Sequence, residues 1–204
     1  IRSGKKLTIT MGTANEGWLF RGNFLRGKVI LNRTITTSLP KTMTVTYDGF
    51  YVDSHKLEGE MLWTREMVGT GVALHPKTTL TMTNVKLTTT AGAYVRNGHR
   101  TTEMTRGFSS YGSFTDDEYS TYGEFSTTFP NGDVYSSYIS SSTPLLNKTA
   151  CNYSIPPMPY PVSGILTLSK NDHHNSINYG DGNCDNLAML SIDGGVAFQI
   201  TLGN

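Results

Sequence analysis

In the run AMLSIDGGVAFQITL, residues 188 to 202, apolar side chains fall on every second position on both sides of Asp193-Gly194-Gly195. A period of two is the signature of a half-buried strand, because successive side chains point to opposite faces. The same alternation fixes the pairing. A two-residue loop would set Ile192 opposite Ala197 and divide the apolar set between faces. A three-residue loop sets Ile192 opposite Val196 and Leu190 opposite Phe198, which keeps one oily face, and a one-residue slip would lose it. Glycine supplies the positive φ that such a bulged loop demands.

The device recurs. In EFSTTFPNGDVYSSYI, residues 124 to 139, a two-residue Asn131-Gly132 turn is expected to pair Phe129 with Val134 and Phe125 with Tyr138. Asp48-Gly49 and Asn97-Gly98 read as further reversals. Further strands are expected at KVILN (28 to 32), MTVTY (43 to 47), FYVDS (50 to 54), TLTMT (79 to 83) and GILTLS (164 to 169). Serine and threonine number 47, and no window of ten residues carries the three-to-four spacing of an amphipathic helix. The fold class expected is all-β: an antiparallel hairpin meander forming a β-sandwich or an elongated curved sheet.

A chain of 204 residues buries roughly 70% of its unfolded surface and folds without staples. The run PPMPYP, Pro156 to Pro161, is an extended linker barred from a central strand. It separates a body, residues 1 to 155, from a terminal hairpin unit, 162 to 204. A bond between Cys151 and Cys184 would span the linker, so residues 1 to 204 are read as one all-β domain. Whether these cysteines are bonded or are two buried thiols stays open in the sequence. A bond would contribute about 4 kcal/mol by loop-closure entropy, and oxidising export conditions would favour it.

The net charge of +1, with 16% charged residues, does not suit a surface that tracks phosphates, so nucleic acid is not an expected partner. Charge is nevertheless uneven. Residues 1 to 33 hold seven Lys and Arg against Glu16 alone, whereas residues 107 to 147 hold Asp116, Asp117, Glu118, Glu124 and Asp133 with no cation. No apolar run reaches the length of a membrane-spanning helix. The chain opens on Ile1, which reads as a mature or trimmed chain whose targeting segment has been removed.

Motif by motif, a prearranged reactive centre is not found. NYGDGNCDN, residues 178 to 186, places Asn183 and Asp185 where a calcium loop starting at Asp181 wants carboxylates. Its sixth and twelfth positions, Asn186 and Ile192, fail the requirement for Gly and Glu. The stretch is expected to be a tight turn with Asp and Asn side chains bonded to local backbone. The five histidines form no zinc-spaced set, and His173-His174 follows Asn171-Asp172 at an expected hairpin tip. No Gly-x-Ser-x-Gly elbow occurs. A pair of carboxylates serving glycoside hydrolysis leaves no signature in sequence spacing, and that alternative stays open. No catalytic residue, metal ligand or cofactor is assigned, apart from a minor calcium alternative at Asp116, Asp117 and Glu118.

The segment from Gly107 to Ser142 holds nine of the 21 aromatic residues beside every acid of the cation-free stretch. Flat rings interleaved with hydroxyls and carboxylates suit sugar recognition, in which rings stack and polar groups set orientation. The candidate ligand-binding residues are Tyr111, Asp116, Asp117, Tyr119 and Tyr122.

The order of TVTYDGFYVDSHKLEG, YVRNGHRTTEMTRG, TDDEYSTYGEFSTTFPNGDVYSSYISSSTPL, Cys151, PVSGILTLS and YGDGNCDNLAMLSIDGG resembles a family of exported lipoproteins of the Bacteroidetes type with a C-terminal GDGxCDN motif. The resemblance covers residues 44 to 202 and is carried most specifically by Asp116-Asp117-x-Tyr119, Cys151 and Gly180-Asp181-Gly182-x-Cys184-Asp185. It implies a location on the cell envelope or outer surface. It also implies membrane attachment only through an N-terminal lipid anchor on a cysteine absent from this chain. It carries over no catalytic residues. The expectation is a non-enzymatic surface protein presenting a binding or adhesive face to a glycan or a surface protein. A carbohydrate-binding module using residues 107 to 142 and a cryptic glycan-processing enzyme are the alternatives.

Overall fold

The computed structural model describes residues 4–13, 16–34, 38–110 and 112–203. In chain order the strands are β1 (Gly4–Thr10), β2 (Gly12–Thr13), β3 (Glu16–Phe20), β4 (Asn23–Thr34), β5 (Lys41–Val52), β6 (His55–Val68), β7 (His75–Thr89) and β8 (Gly92–Arg106). They continue with β9 (Glu118–Thr128), β10 (Val134–Ile139), β11 (Leu145–Lys148), β12 (Ser163–Lys170), β13 (His173–Asp181), β14 (Leu187–Ile192) and β15 (Phe198–Thr201). One helical turn, α1 (Thr149–Asn152), precedes the proline-rich stretch. The fold is all-β and antiparallel, and from β2 to β10 and from β12 to β15 each strand pairs with its sequence neighbour. The strand β11 instead pairs with β9 and β12.

The terminal hairpin has the register its alternation demands. Leu190 faces Phe198 and Ala188 faces Ile200, and Gly195 N–H closes the loop on the Ile192 carbonyl. The positive φ is shared by Asp193 at 49° and Gly194 at 71°. The Asn131-Gly132 hairpin differs from the two-residue expectation. Phe129 N–H donates to the Asp133 carbonyl and Gly132 N–H to the Phe129 carbonyl, so the loop is Pro130-Asn131-Gly132 and Phe129 faces Asp133. The cause is Pro130, whose fixed φ suits the first position of a type I turn, followed by Gly132 in the left-handed region.

Two other Asx-Gly pairs do not reverse the chain. Asp48-Gly49 lies inside β5, where the register against β6 shifts between Thr46 and Phe50, so the expected 43–47 and 50–54 strands run as one that ends at Val52, with Asp53 and Ser54 in the turn to β6. Asn97-Gly98 lies inside β8, and the Asn97 Oδ1 accepts the Asn84 N–H at 2.7 Å. The first is a bulge, in which an extra residue enters one strand and the strand runs on. A Cβ at Gly27 would strike the Gly49 carbonyl, and one at Gly59 would strike the Asn84 carbonyl. Glycine is therefore required where two backbones approach.

Contacts divide the chain into two units. The first comprises Ile1–Glu66, Thr79–His99 and Ser126–Val134, and the second Met67–Thr78, Arg100–Phe125 and Tyr135–Asn204. In the first, Val45 and Phe50 are the buried apolar residues among those described. Arg26 stacks on Tyr51, and Lys28 pairs with Asp48 at 3.0 Å across the β4–β5 bulge. In the second, Phe125, Ile139, Leu145, Cys151, Val162 and Ala188 are buried. There β11 hydrogen-bonds along Glu118–Thr121 of β9 while β10 takes the far half of β12. Among the described residues, no helix is long and apolar enough to cross a membrane.

Candidate functional site

The acidic, aromatic segment begins where β8 ends. At Gly107 φ is 93°, and a Cβ there would strike the Asp117 side chain, so the chain leaves β8 hard against the residue that precedes β9. The connection is a series of tight turns. Ser110 N–H reaches the Gly107 carbonyl and Ser113 N–H the Ser110 carbonyl, both at 3.1 Å, before Asp117 N–H closes on Phe114. The Ser110 hydroxyl donates to Asp116 Oδ2 at 2.5 Å, and chiefly through that bond the Asp116 carboxyl is held below its ordinary range.

Asp117 is buried, and its Oδ2 accepts the Tyr119 hydroxyl at 3.2 Å. Burial first, and then the Asp117 carboxylate, raise the Tyr119 phenol above its usual value. The Asp117 carbonyl accepts Thr149 N–H at 2.9 Å, which docks α1 onto the turn. The helix carries Cys151, 1% exposed and disulfide-bonded to Cys184 with Cα atoms 5.3 Å apart. The bond settles the alternative that the sequence left open. The GDGNC loop that supplies Cys184 is held by local side-chain bonds, Asn183 Nδ2 to Asp181 Oδ1 and Leu187 N–H to Asp185 Oδ1. Lys148 Nζ donates to the Gly182 carbonyl at 2.8 Å.

Just after α1, Tyr153 meets Phe114 with ring centroids 5.8 Å apart and planes inclined by 46°. These rings are 63% and 54% exposed. They form an apolar step beside Ser110, Ser113 and Asp116. Sequence reasoning missed this pair. Phe114 lies in the singled-out segment, but Tyr153 is 39 positions further on, and only the α1–Asp117 contact and the disulfide place it there.

The five nominated residues do not converge. Asp116, Asp117 and Tyr119 lie in and beside the turn. Tyr122, three positions along a strand from Tyr119, projects from the opposite face and donates to Glu103 Oε2 at 3.4 Å. Tyr111 lies outside the described residues. On the Tyr122 face, Glu103 Oε1 is 2.7 Å from His75 Nε2, while His75 Nδ1 is 2.6 Å from the Ala73 carbonyl. Both ring nitrogens face acceptors, so Glu103 first and the carbonyl second favour the imidazolium and raise its pKa.

The residues of the calcium alternative have other bonds. Asp116 and Asp117 accept hydroxyls, and Glu118 lies 3.5 Å from Arg106. No three His, Cys, Asp or Glu side chains among the described residues are grouped to hold a metal ion. His173 instead pairs with Asp193 at 2.8 Å.

A second feature of this unit is a shallow hollow of about 500 Å³ where the chain breaks between β10 and β11. Ser142, Thr143 and Pro144 form one wall, with Ser120, Ser163 and Asn178 among the others. Its lining mixes hydroxyls and an amide with the aliphatic Pro144, Leu146 and Ile165 and includes no charged side chain and no aromatic ring. No family model, curated protein or solved structure matches the chain.

Proposed function

We propose that this chain is a non-enzymatic protein of the cell envelope or outer surface that binds glycan through the 107–118 turn and Tyr153. The observation that carries the reading is the exposed Phe114–Tyr153 pair set beside hydroxyls and a carboxylate on a braced turn. Sugar rings present apolar C–H faces and polar rims, and such a step accepts the face while the Ser110 and Ser113 hydroxyls, the first oriented by Asp116 Oδ2, meet the rim. Bracing matters because a site held rigid before binding loses less entropy on binding. The turn is tied to α1 by the Thr149–Asp117 bond and α1 to the GDGNC loop by the disulfide. Export and a lipid anchor outside this chain follow from the resemblance in motif order, as part of the same proposal.

The test is a glycan array probed with the purified chain and with Phe114→Ala/Tyr153→Ala. Both rings are exposed, so the double variant should keep the wild-type melting temperature. Loss of two stacking contacts should weaken binding by about tenfold or more. A wild-type chain that binds no glycan, or a variant that binds equally well, removes the reading.

A further inference from the structure

The β3–β4 hairpin presents apolar residues that its own fold leaves uncovered. Trp18 is 58% exposed, Leu19 74%, Phe20 59% and Phe24 41%. Pairing places Trp18 opposite Leu25 and Leu19 opposite Phe24, so Trp18 and Phe20 occupy one face of the ribbon while Leu19 and Phe24 occupy the other. Along β3 the outer edge is paired only at Glu16 and Gly17, by the two residues of β2. The segment Trp18–Phe20 is thus an apolar strand with both faces and one edge uncovered among the described residues.

The charge around it is mainly positive, the nearby acids being Glu16 at the start of β3, Asp48, and Asp53, whose Oδ1 accepts the Phe24 N–H at 2.7 Å. From Gly17 to Tyr47 the sequence holds Arg21, Arg26, Lys28, Arg33 and Lys41 and no acid. Arg21 sits at the hairpin tip, its guanidinium 5.4 Å from the Phe20 ring. Two residues beyond Phe24, a hollow of about 430 Å³ opens between Arg26, Lys28, Asp48 and Tyr51. With Lys28 paired to Asp48, that hollow carries a net positive charge.

We infer that the β3–β4 hairpin docks edge-on into the interfacial zone of an anionic lipid membrane. Three features select lipid over another protein. A folded partner covers one face of a ribbon, whereas a lipid interface takes both faces at once. A second copy pairing along the same edge would bring together two hairpins that each carry four cations against one acid, which like charges oppose. Tryptophan and arginine beside aliphatic groups match the gradient of the interface, with rings at the headgroup boundary and guanidinium groups on phosphate. With the β3 edge lowermost, β4 and its Arg26 lie one strand spacing further out, about 4.8 Å, towards the headgroups when the β3 residues are immersed. This attachment is independent of any lipid anchor, because it uses residues 18 to 26.

The test uses the full 204-residue chain with vesicles of phosphatidylglycerol and phosphatidylcholine, and with phosphatidylcholine alone. Co-sedimentation should favour the anionic vesicles several-fold and weaken as salt is raised. Trp18 emission, read in a Trp63→Phe background, should shift to the blue and be quenched by brominated lipid. Leu19→Ser/Phe20→Ser replaces two exposed residues, so it should fold as wild type and lose vesicle binding. Failure of the wild-type chain to bind anionic vesicles overturns the inference, as does undiminished binding by the variant. Dimerisation without lipid that the same variant abolishes also overturns it, in favour of a second copy. Glycan binding by this variant should be unchanged, which separates the outcome from that of the 107–118 turn.

Discussion

Opening the Cys151–Cys184 bond should lower stability by an amount the chain length sets. The two cysteines are 33 positions apart, and the loop-closure estimate for that span is about 3.7 kcal/mol at 25 °C. Alanine at both positions keeps the buried Cys151 site apolar, so little packing loss is added. For a chain of this size each kcal/mol moves the melting midpoint by about 2–4 °C, giving a fall of roughly 7–15 °C. Three melting curves by circular dichroism decide the matter: wild type, wild type with reductant, and Cys151→Ala/Cys184→Ala. Reductant should bring the wild type to the variant's midpoint and leave the variant unmoved. A fall under about 2 °C in the variant would refute the entropic reasoning. A second readout localises the effect. Once the bond is gone, α1 is held to the turn by the Thr149–Asp117 hydrogen bond and to the following loop by Met158 N–H on the Cys151 carbonyl. Amide exchange should accelerate at residues 149 to 153 more than in β12 or β13, and glycan affinity should fall because Tyr153 loses its support.

Gly27→Ala should destabilise more than Gly22→Ala. Both have φ near 90°, but a Cβ at Gly27 meets the Gly49 carbonyl while one at Gly22 meets nothing. The shared backbone strain costs about 1–3 kcal/mol, and only Gly27 adds the collision, so equal midpoints in urea would refute the bulge argument. The His75–Glu103 pair predicts a pH dependence with a definite sign. The folded pKa of His75 is raised by Glu103 and the Ala73 carbonyl, so its stabilisation is complete below about pH 6.5 and is lost as pH rises through the folded value. The wild-type midpoint should therefore drop more between pH 6 and 8.5 than that of Glu103→Gln. The raised His173 beside Asp193 contributes equally to both proteins and cancels in the comparison, and identical slopes would remove His75 from the account.

Alternation made the strands legible because a residue's face depends on nothing beyond its parity. It also fixed the last hairpin, where the pairing of Leu190 with Phe198 follows from keeping the oily positions together. The Asx-Gly pairs were less legible. Glycine at positive φ serves a reversal or a bulge equally well, and what separates Asp193-Gly194 from Asp48-Gly49 is whether a facing strand continues past it. For Gly49 that facing residue is Gly27, 22 positions away, so no local pattern reports it. Asn131-Gly132 misled by one residue because the preceding Pro130 was left out of the loop. At the site, parity already held the warning that Tyr119 and Tyr122 fall on opposite faces. The partnership of Phe114 with Tyr153 had no sequence signal, since it depends on where α1 docks.

The distribution of burial gives these surfaces a common physical origin. Among the described residues, six of the eight buried apolar ones belong to the unit that contains α1 and the disulfide, and two, Val45 and Phe50, to the unit that contains the β3–β4 hairpin. In the first of these the interior and the covalent link fix a turn firmly enough to hold a pair of rings in the open. In the second, Trp18, Leu19, Phe20 and Phe24 stay outside the small interior that holds Val45 and Phe50. Each apolar side chain so exposed forgoes about half of the roughly 1.5–3 kcal/mol that full burial would provide. Four such residues on three successive positions and their partner strand therefore favour immersion of the hairpin in a surrounding that is itself apolar. Lesions in the two surfaces involve no common residue, so their effects should add. Leu19→Ser/Phe20→Ser combined with Phe114→Ala/Tyr153→Ala should lose vesicle and glycan binding together, while either double variant alone loses only its own. A double variant that abolished both would mean that the two surfaces act as one.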